Sequence, residues 1–254
     1  MMLAMDVGNS NIKVGLYDGD KLLHSYRTET AKKRTSDEYG FLMQSFFQYI
    51  GVDMRALDGV MISSVVPVLN YTLERMVHTF MGLSAMVLSP ELDCGISIQY
   101  QPKNSLGTDR IANAAAAYAL YGGPIITVDF GTATTFGAVD GDGVFLGGAI
   151  SPGIRTSADA LIERAARLSA FELVAPHKAI GNNTRDGLQA GVVYGFSGLV
   201  DGILSRMKEE LPGASVVATG GLCEEIAAVS REIDRVDKLL TLYGIQHIYY
   251  LNKG

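Results

Sequence analysis

Apolar residues crowd the chain at Met1 to Met5 and return as short β-rich runs, so strands are predicted at 2–7, 12–17 and 21–28, with Asp18-Gly19-Asp20 as a hairpin turn. A helix over 36–50 follows, opened by Ser36 as N-cap with Asp37 and Glu38 in its first turn. Next come a strand at 58–64, a helix over 67–81 with Pro67 in its first turn, a strand at 86–88, and an alanine-rich helix over 110–121. The second half repeats the scheme. Strands are predicted at 124–129, 134–140 and 144–150, with Gly141-Asp142-Gly143 as the turn between the last two. Helices follow over 154–168 and 184–210, then a strand at 214–219, the doublet Gly220-Gly221, and a helix over 222–231. This is mixed α/β, and two βββαβα-type lobes with a cleft between them are the simplest architecture it allows.

The repetition extends to chemistry. Asp6-Val7-Gly8-Asn9-Ser10-Asn11 and Asp129-Phe130-Gly131-Thr132-Ala133-Thr134 each follow an apolar run and precede another β-rich run. In a strand–turn–strand of this kind the glycine lets backbone approach a ligand closely. The N–H, Asn, Ser and Thr groups donate to phosphate oxygens, and the Asp holds a cation or its water. One copy alone reads best as an ordinary hairpin turn, with Asp and Asn as turn formers. Two copies point to a pair of turns gripping a nucleoside triphosphate.

Composition narrows the class. At 254 residues two domains are expected, and 48% hydrophobic against 19% charged residues supplies ample core. The net charge of −6 opposes a general nucleic-acid or membrane-surface binder, and Lys32-Lys33-Arg34 is too short to overturn that. No apolar stretch is expected to reach the roughly 18 residues that span a bilayer, and the N-terminus enters a strand at once without a signal-peptide pattern, so no membrane and a cytoplasmic location are expected. Cys94 and Cys223 lack metal-ligand or redox spacing and read as buried thiols. No Lys follows a Gly directly, which excludes the common phosphate-binding Gly-Lys-Ser/Thr loop, and Gly-x-Gly-x-x-Gly is absent. Asp129-Phe130-Gly131 spells a protein-kinase tripeptide without the preceding His-Arg-Asp loop, and the four histidines are scattered.

Several further segments complete a recognisable order: Gly107-Thr108-Asp109-Arg110, Gly147-Gly148-Ala149-Ile150-Ser151-Pro152-Gly153, Gly181-Asn182-Asn183-Thr184 and Leu240-Thr241-Leu242-Tyr243-Gly244-Ile245. With the two Asp-x-Gly turns, this set resembles the type III pantothenate kinases, members of the actin, hexokinase and heat-shock-chaperone ATPase superfamily. The resemblance covers essentially the whole chain. It implies two duplicated ribonuclease-H-like lobes, an N-terminal one over 1–115 and a C-terminal one over 116–254, with a nucleotide cleft between them. It also implies ATP-dependent phosphorylation of pantothenate to 4′-phosphopantothenate, the first step of coenzyme A synthesis, with Mg²⁺, a monovalent cation (K⁺ or NH₄⁺) and a homodimer. Two positions depart from the family's habit: Ser10 replaces the usual Thr and keeps its hydroxyl, and Thr108 stands where Ala is frequent.

The resemblance carries roles onto residues. Asp109 becomes the base for the pantothenate hydroxyl. Asp6, Val7, Gly8, Asn9, Ser10, Asn11, Ile12 and Lys13 form the first ATP loop, with Asp6 near Mg²⁺. Thr132 contacts ATP, Asp129 holds the monovalent cation, and Tyr100, Gly107, Thr108, Arg110 and Thr184 join Asp109 around pantothenate. On the residues alone Asp109-Arg110 reads equally well as a helix start with a surface Arg, Tyr100 as a half-buried strand aromatic, and Gly220-Gly221 as either a plain left-handed turn or a backbone surface for adenosine. Gly187, Gly191 and Gly195 share one face of the helix over 184–210, each costing roughly 1 kcal/mol of propensity relative to Ala, which asks for close packing within the lobe or across a dimer. The competing class is a nucleotide-binding regulator that keeps the lobes without catalysis, and the three carboxylates Asp6, Asp109 and Asp129 argue against it.

Overall fold

The computed structural model describes residues 1–165 and 168–254, which fall into two compact units, Met1–Ala116 with Leu240–Gly254, and Ala117–Leu239. The first unit begins with β1 (Met2–Val7), β2 (Asn11–Asp18) and β3 (Lys21–Glu29), then α1 (Ser36–Ile50), β4 (Gly59–Ser64), α2 (Asn70–Met81), β5 (Met86–Val87), β6 (Ser97–Ile98) and α3 (Thr108–Tyr121, whose last residues pass into the second unit). Its sheet has the order β3-β2-β1-β4-β5, with β1 antiparallel to β2 and parallel to β4. Alternation along β1 sends Leu3, Met5 and Val7 into a core with Tyr39, Met43 and Phe47 of α1 and Leu73, Met76 and Val77 of α2. All of β1 is buried, as expected of a strand covered on both faces.

Several helix starts differ from expectation for local reasons. The α1 N-cap is Thr35 rather than Ser36: its hydroxyl accepts the Glu38 N–H while the Glu38 carboxylate accepts the Thr35 N–H, a reciprocal capping box. Pro67–Leu69 forms a separate 3₁₀ turn ahead of α2. The α3 helix starts at Thr108, because the Gly107 carbonyl already accepts the Arg110 and Ile111 N–H groups, which puts Thr108 and Asp109 in its first turn.

The second unit contains β7 (Ile125–Phe130), β8 (Ala133–Val139), β9 (Val144–Gly147), β10 (Ile150–Pro152), α4 (Ile154–Arg164), α5 (Thr184–Glu210), β11 (Ser215–Gly220), α6 (Cys223–Ala227) and β12 (Arg235–Val236). Its strands repeat the first sheet's order as β9-β8-β7-β11-β12, with β7 antiparallel to β8 and parallel to β11, while β10 pairs with β8. Ile126, Val128 and Phe130 meet Val193, Val200 and Leu204 of α5 in its core. The strand expected at 144–150 is split into β9 and β10, where Gly147 and Gly148 take positive φ. The helix expected over 154–168 ends at Arg164, and residues 166–167 of that expectation lie outside the described residues. The helix expected over 222–231 is shortened to α6, and β6 and β12 were not anticipated.

By length and composition α5 would also cross a membrane, contrary to the expectation that no stretch qualifies. Its buried row of Val193, Val200 and Leu204 is the ordinary inner face of a core helix. Cys94 and Cys223 are free and buried, and desolvation pushes the Cys94 thiol up to about 11.

The segment from Leu240 onward, expected with the second lobe as part of 116–254, forms a helix that was not predicted, α7 (Leu240–Asn252). It packs instead on β1, β2 and β4 of the first unit. Gln246 donates to the Gly19 carbonyl and the Asp20 carboxylate, and Tyr249 donates to the Asp58 carbonyl. Gly244 permits this seat, since a Cβ there would fall on the Ala112 carbonyl of α3. Gly244→Ala should therefore destabilise the protein by about 1–3 kcal/mol, the usual cost of overpacking, read as a lower denaturation midpoint in urea at unchanged slope.

Candidate active site

The first Asp-x-Gly turn joins β1 to β2. The Gly8 N–H donates to the Asn11 carbonyl at 3.0 Å and closes the turn, leaving Asn9, Ser10 and Asn11 exposed. Val7 and Ile12, register partners on the flanking strands, are buried and anchor the turn in the core. Asp6 and Lys13 are also partners, with Lys13 Nζ 3.9 Å from Asp6 Oδ2 and both side chains mostly buried, so the cation offsets part of the cost of holding a carboxylate at this strand end.

On the other side of β1, Asp6 stands in register with Ser63 of β4. The buried Ser63 hydroxyl donates to Thr108 Oγ1 at 2.9 Å. This contact ties the start of α3, where Asp109 follows Thr108, to the strand beside Asp6. Asp109 Oδ1 accepts the Arg110 N–H at 2.8 Å, and a Cβ at Gly107 would come within 2.5 Å of that oxygen, so the glycine keeps the carboxylate's place open. Arg110 is buried, with its guanidinium carbon over the Tyr100 ring, 5.4 Å from its centre, a cation–π contact that holds the charge in place. Asp6, Lys13, Tyr100, Gly107, Thr108, Asp109 and Arg110 thus occupy one continuous region of the first unit. Ser63 belongs with them and was not anticipated. Its only trace in the sequence is a serine pair, Ser63-Ser64, directly after the apolar run of β4.

The second turn is built the same way. The Gly131 N–H donates to the Ala133 carbonyl at 3.1 Å, and the Thr132 carbonyl accepts both the Gly153 N–H at 3.1 Å and the Thr156 hydroxyl at 2.8 Å, which staples the turn to the start of α4. A Cβ at Gly153 would overlap the Thr132 carbonyl, which explains the glycine that ends the Gly147–Gly153 segment. Asp129 lies on β7 beside Thr219 of β11 and Thr135 of β8. Gly220 has φ +96, and a Cβ there would stand 2.6 Å from Asp129 Oδ1. The absent side chain leaves a cradle against that carboxylate, next to the buried Thr219 hydroxyl, which has no hydrogen-bond partner among the described residues. Such a set of carboxylate, hydroxyl and backbone oxygen suits a hard cation. Among the described residues no three acidic, His or Cys side chains gather as a metal site, so a divalent ion would take few ligands from the protein. Thr184, the first residue of α5, is exposed; Asn183 caps the helix by accepting the Asp186 N–H.

The family model for type III pantothenate kinase matches residues 2–206. A curated type III pantothenate kinase of Moorella thermoacetica is 46% identical over 253 residues, covering 99% of this chain and 100% of the relative. One from Brevibacillus brevis is 46% identical over 255 residues, covering 100% of both. Among solved structures, a Campylobacter jejuni protein described as a conserved member of the Baf family of transcriptional activators aligns over 98% of both chains with a TM-score of 0.63 at 23% identity. A ROK hexokinase from Thermus thermophilus aligns over 98% of both chains with a TM-score of 0.54 at 15% identity, so the two share a fold. With an acidic turn at the end of each central strand, a matching family model over most of its length and full-length relatives of that one description, the chain belongs to the type III pantothenate kinase family.

Proposed function

We propose that this protein transfers the γ-phosphoryl group of ATP to the 4′-hydroxyl of pantothenate, with Asp109 as the base. The observation that supports this assignment of roles is the Ser63–Thr108 hydrogen bond, which ties the first turn of α3, with Asp109 in it, to the β4 residue in register with Asp6. The pantothenate oxygen bonds to the γ-phosphorus as the bond from that phosphorus to the β–γ bridging oxygen breaks, and the hydroxyl proton passes to the Asp109 carboxylate. Phosphoryl transfer of this kind needs alignment and charge neutralisation more than covalent help.

Each unit offers one donor-rich turn to nucleotide phosphates, Gly8–Asn11 with Lys13 in the first and Gly131–Thr132 in the second. Mg²⁺ takes most of its ligands from water and substrate, so the single carboxylate of Asp6 would suffice to hold it, and the ion would supply charge neutralisation at the phosphates. A monovalent cation, K⁺ or NH₄⁺, fits the Asp129 cradle left open by Gly220 and would neutralise charge near the phosphates. Arg110, fixed over Tyr100, pairs with the pantothenate carboxylate. The regulator reading lacks comparable support, because all three carboxylates are present and the full-length relatives carry the kinase description.

The assembly follows from α5. A Cβ at Gly187, Gly191, Gly195 or Gly198 would meet nothing within 4 Å, and all four residues are exposed, so this face is not filled by the chain itself. Close approach of a second copy along the glycines compensates for their helix cost and explains them as a homodimer contact, with Thr184 at the helix start carried toward the partner's pantothenate site.

A coupled assay of ADP release should show turnover only when pantothenate is supplied. Asp109→Asn should reduce it by roughly 10²–10⁴-fold at unchanged thermal stability, as expected when a general base is lost; near-wild-type turnover would remove Asp109 from that role. Rates should rise when Na⁺ is exchanged for K⁺ or NH₄⁺, and Asp129→Ala should abolish both that dependence and most activity, whereas equal rates in all three salts would remove the cation. Sedimentation should find the wild type dimeric. Gly191→Leu should shift it toward monomer and raise the apparent Michaelis constant for pantothenate, and a monomeric, fully active wild type would exclude the dimer.

A further inference from the structure

The first phosphate turn is held from behind by a residue that belongs to no motif. Thr30, buried just past the end of β3, grips the turn twice: its N–H donates to the Ser10 carbonyl at 3.0 Å and its hydroxyl donates to the Gly8 carbonyl at 2.7 Å. A trans peptide points its C=O and N–H in opposite directions. With the Gly8 oxygen drawn to Thr30, the N–H of exposed Asn9 is turned away from Thr30, toward the outer side of the turn. We propose that Thr30 is a positioning residue for the nucleotide: a two-point latch that sets the peptide planes of the Gly8–Asn11 turn so that their donors face phosphate.

The latch is itself braced. Ala31, the next residue, is clamped by the buried Tyr39 of α1, whose hydroxyl accepts the Ala31 N–H at 3.1 Å and donates to the Ala31 carbonyl at 3.0 Å. Arg34 adds an N–H to the same Ala31 carbonyl at 3.0 Å and lays its guanidinium carbon 5.8 Å from the centre of the Tyr39 ring. Tyr39 is anchored among Met43, Phe46 and Phe47 in the first core. A rigid path therefore runs from the core through Tyr39 and Ala31 to Thr30 and the turn. A loop of exposed Asn and Ser residues would otherwise sample many conformations, and holding it in one before ATP arrives lowers the entropy lost on binding.

This inference rests on the reading of Gly8–Asn11 as an ATP loop, and the test separates the two. ATP dissociation constants are measured by calorimetry, and Michaelis constants for both substrates by ADP release, for the wild type, Thr30→Val, Thr30→Ser and Tyr39→Phe. Thr30→Val keeps shape and methyl packing but strands the Gly8 carbonyl. It should weaken ATP by about tenfold, the effect of one lost hydrogen bond to a partly buried acceptor, while leaving the pantothenate Michaelis constant within about twofold. Thr30→Ser should recover wild-type ATP affinity, and Tyr39→Phe should weaken ATP selectively by a smaller factor. Unchanged ATP affinity in Thr30→Val, equal losses toward both substrates, or no recovery in Thr30→Ser would overturn the latch. Should Thr30→Val fail to fold, Tyr39→Phe decides it, with unchanged ATP affinity as the contrary result. A wild type that binds ATP but does not phosphorylate pantothenate would defeat the proposed activity instead, leaving the latch to be judged by binding.

Discussion

Parallel pairing of a central strand constrains everything else in each unit. β1 lies between antiparallel β2 and parallel β4, and β7 lies between antiparallel β8 and parallel β11. A strand enclosed in this way spends its apolar side chains on both faces, so polar chemistry collects at its C-terminal end. Asp6 and Asp129 stand there. The parallel neighbour supplies the next polar group in register, Ser63 beside Asp6 and Thr219 beside Asp129, so the same topology builds the same kind of site in each unit.

Close backbone approach is the second requirement, and three glycines meet it where another residue would collide. Gly107 keeps clear the space of the Asp109 carboxylate, Gly220 the space against Asp129, and Gly153 the approach of the α4 start to the Thr132 carbonyl. At Gly220 the backbone is also left-handed, so a substitution there would be strained as well as crowded. Elsewhere rigidity comes from side chains. Thr30 and Tyr39 fix the first turn from the core side, and Thr156 fixes the second from α4. The turns are polar and exposed, so neither could hold a single conformation through its own packing.

The α5 helix shows how one composition supports different accounts until burial is known. It is long and apolar enough to resemble a membrane span, yet its branched aliphatic row is buried in the second core and its glycine row faces outward. Glycine on an exposed helical face weakens the helix without filling space.

The sequence by itself determined the α/β class, most strand positions and the two acidic turns, because each of these is a local pattern: alternation and apolar runs for strands, Gly with Asp, Asn, Ser or Thr for turns. Asp109 was singled out only by the resemblance of the ordered motifs, since its own residues read equally well as a helix start with a surface Arg. Tertiary structure decided what depends on partners distant in the chain. Ser63 and Thr30 are unremarkable serine and threonine positions until β4 and β3 bring them to Thr108 and Gly8. The terminal helix, with both its place in the first unit and its glycine at the Ala112 carbonyl, could not be assigned from its own residues, because its seat is formed by segments at the opposite end of the chain. Hydrogen bonds and close packing between remote segments carry no periodic signature, and here they hold each chemically active group in place.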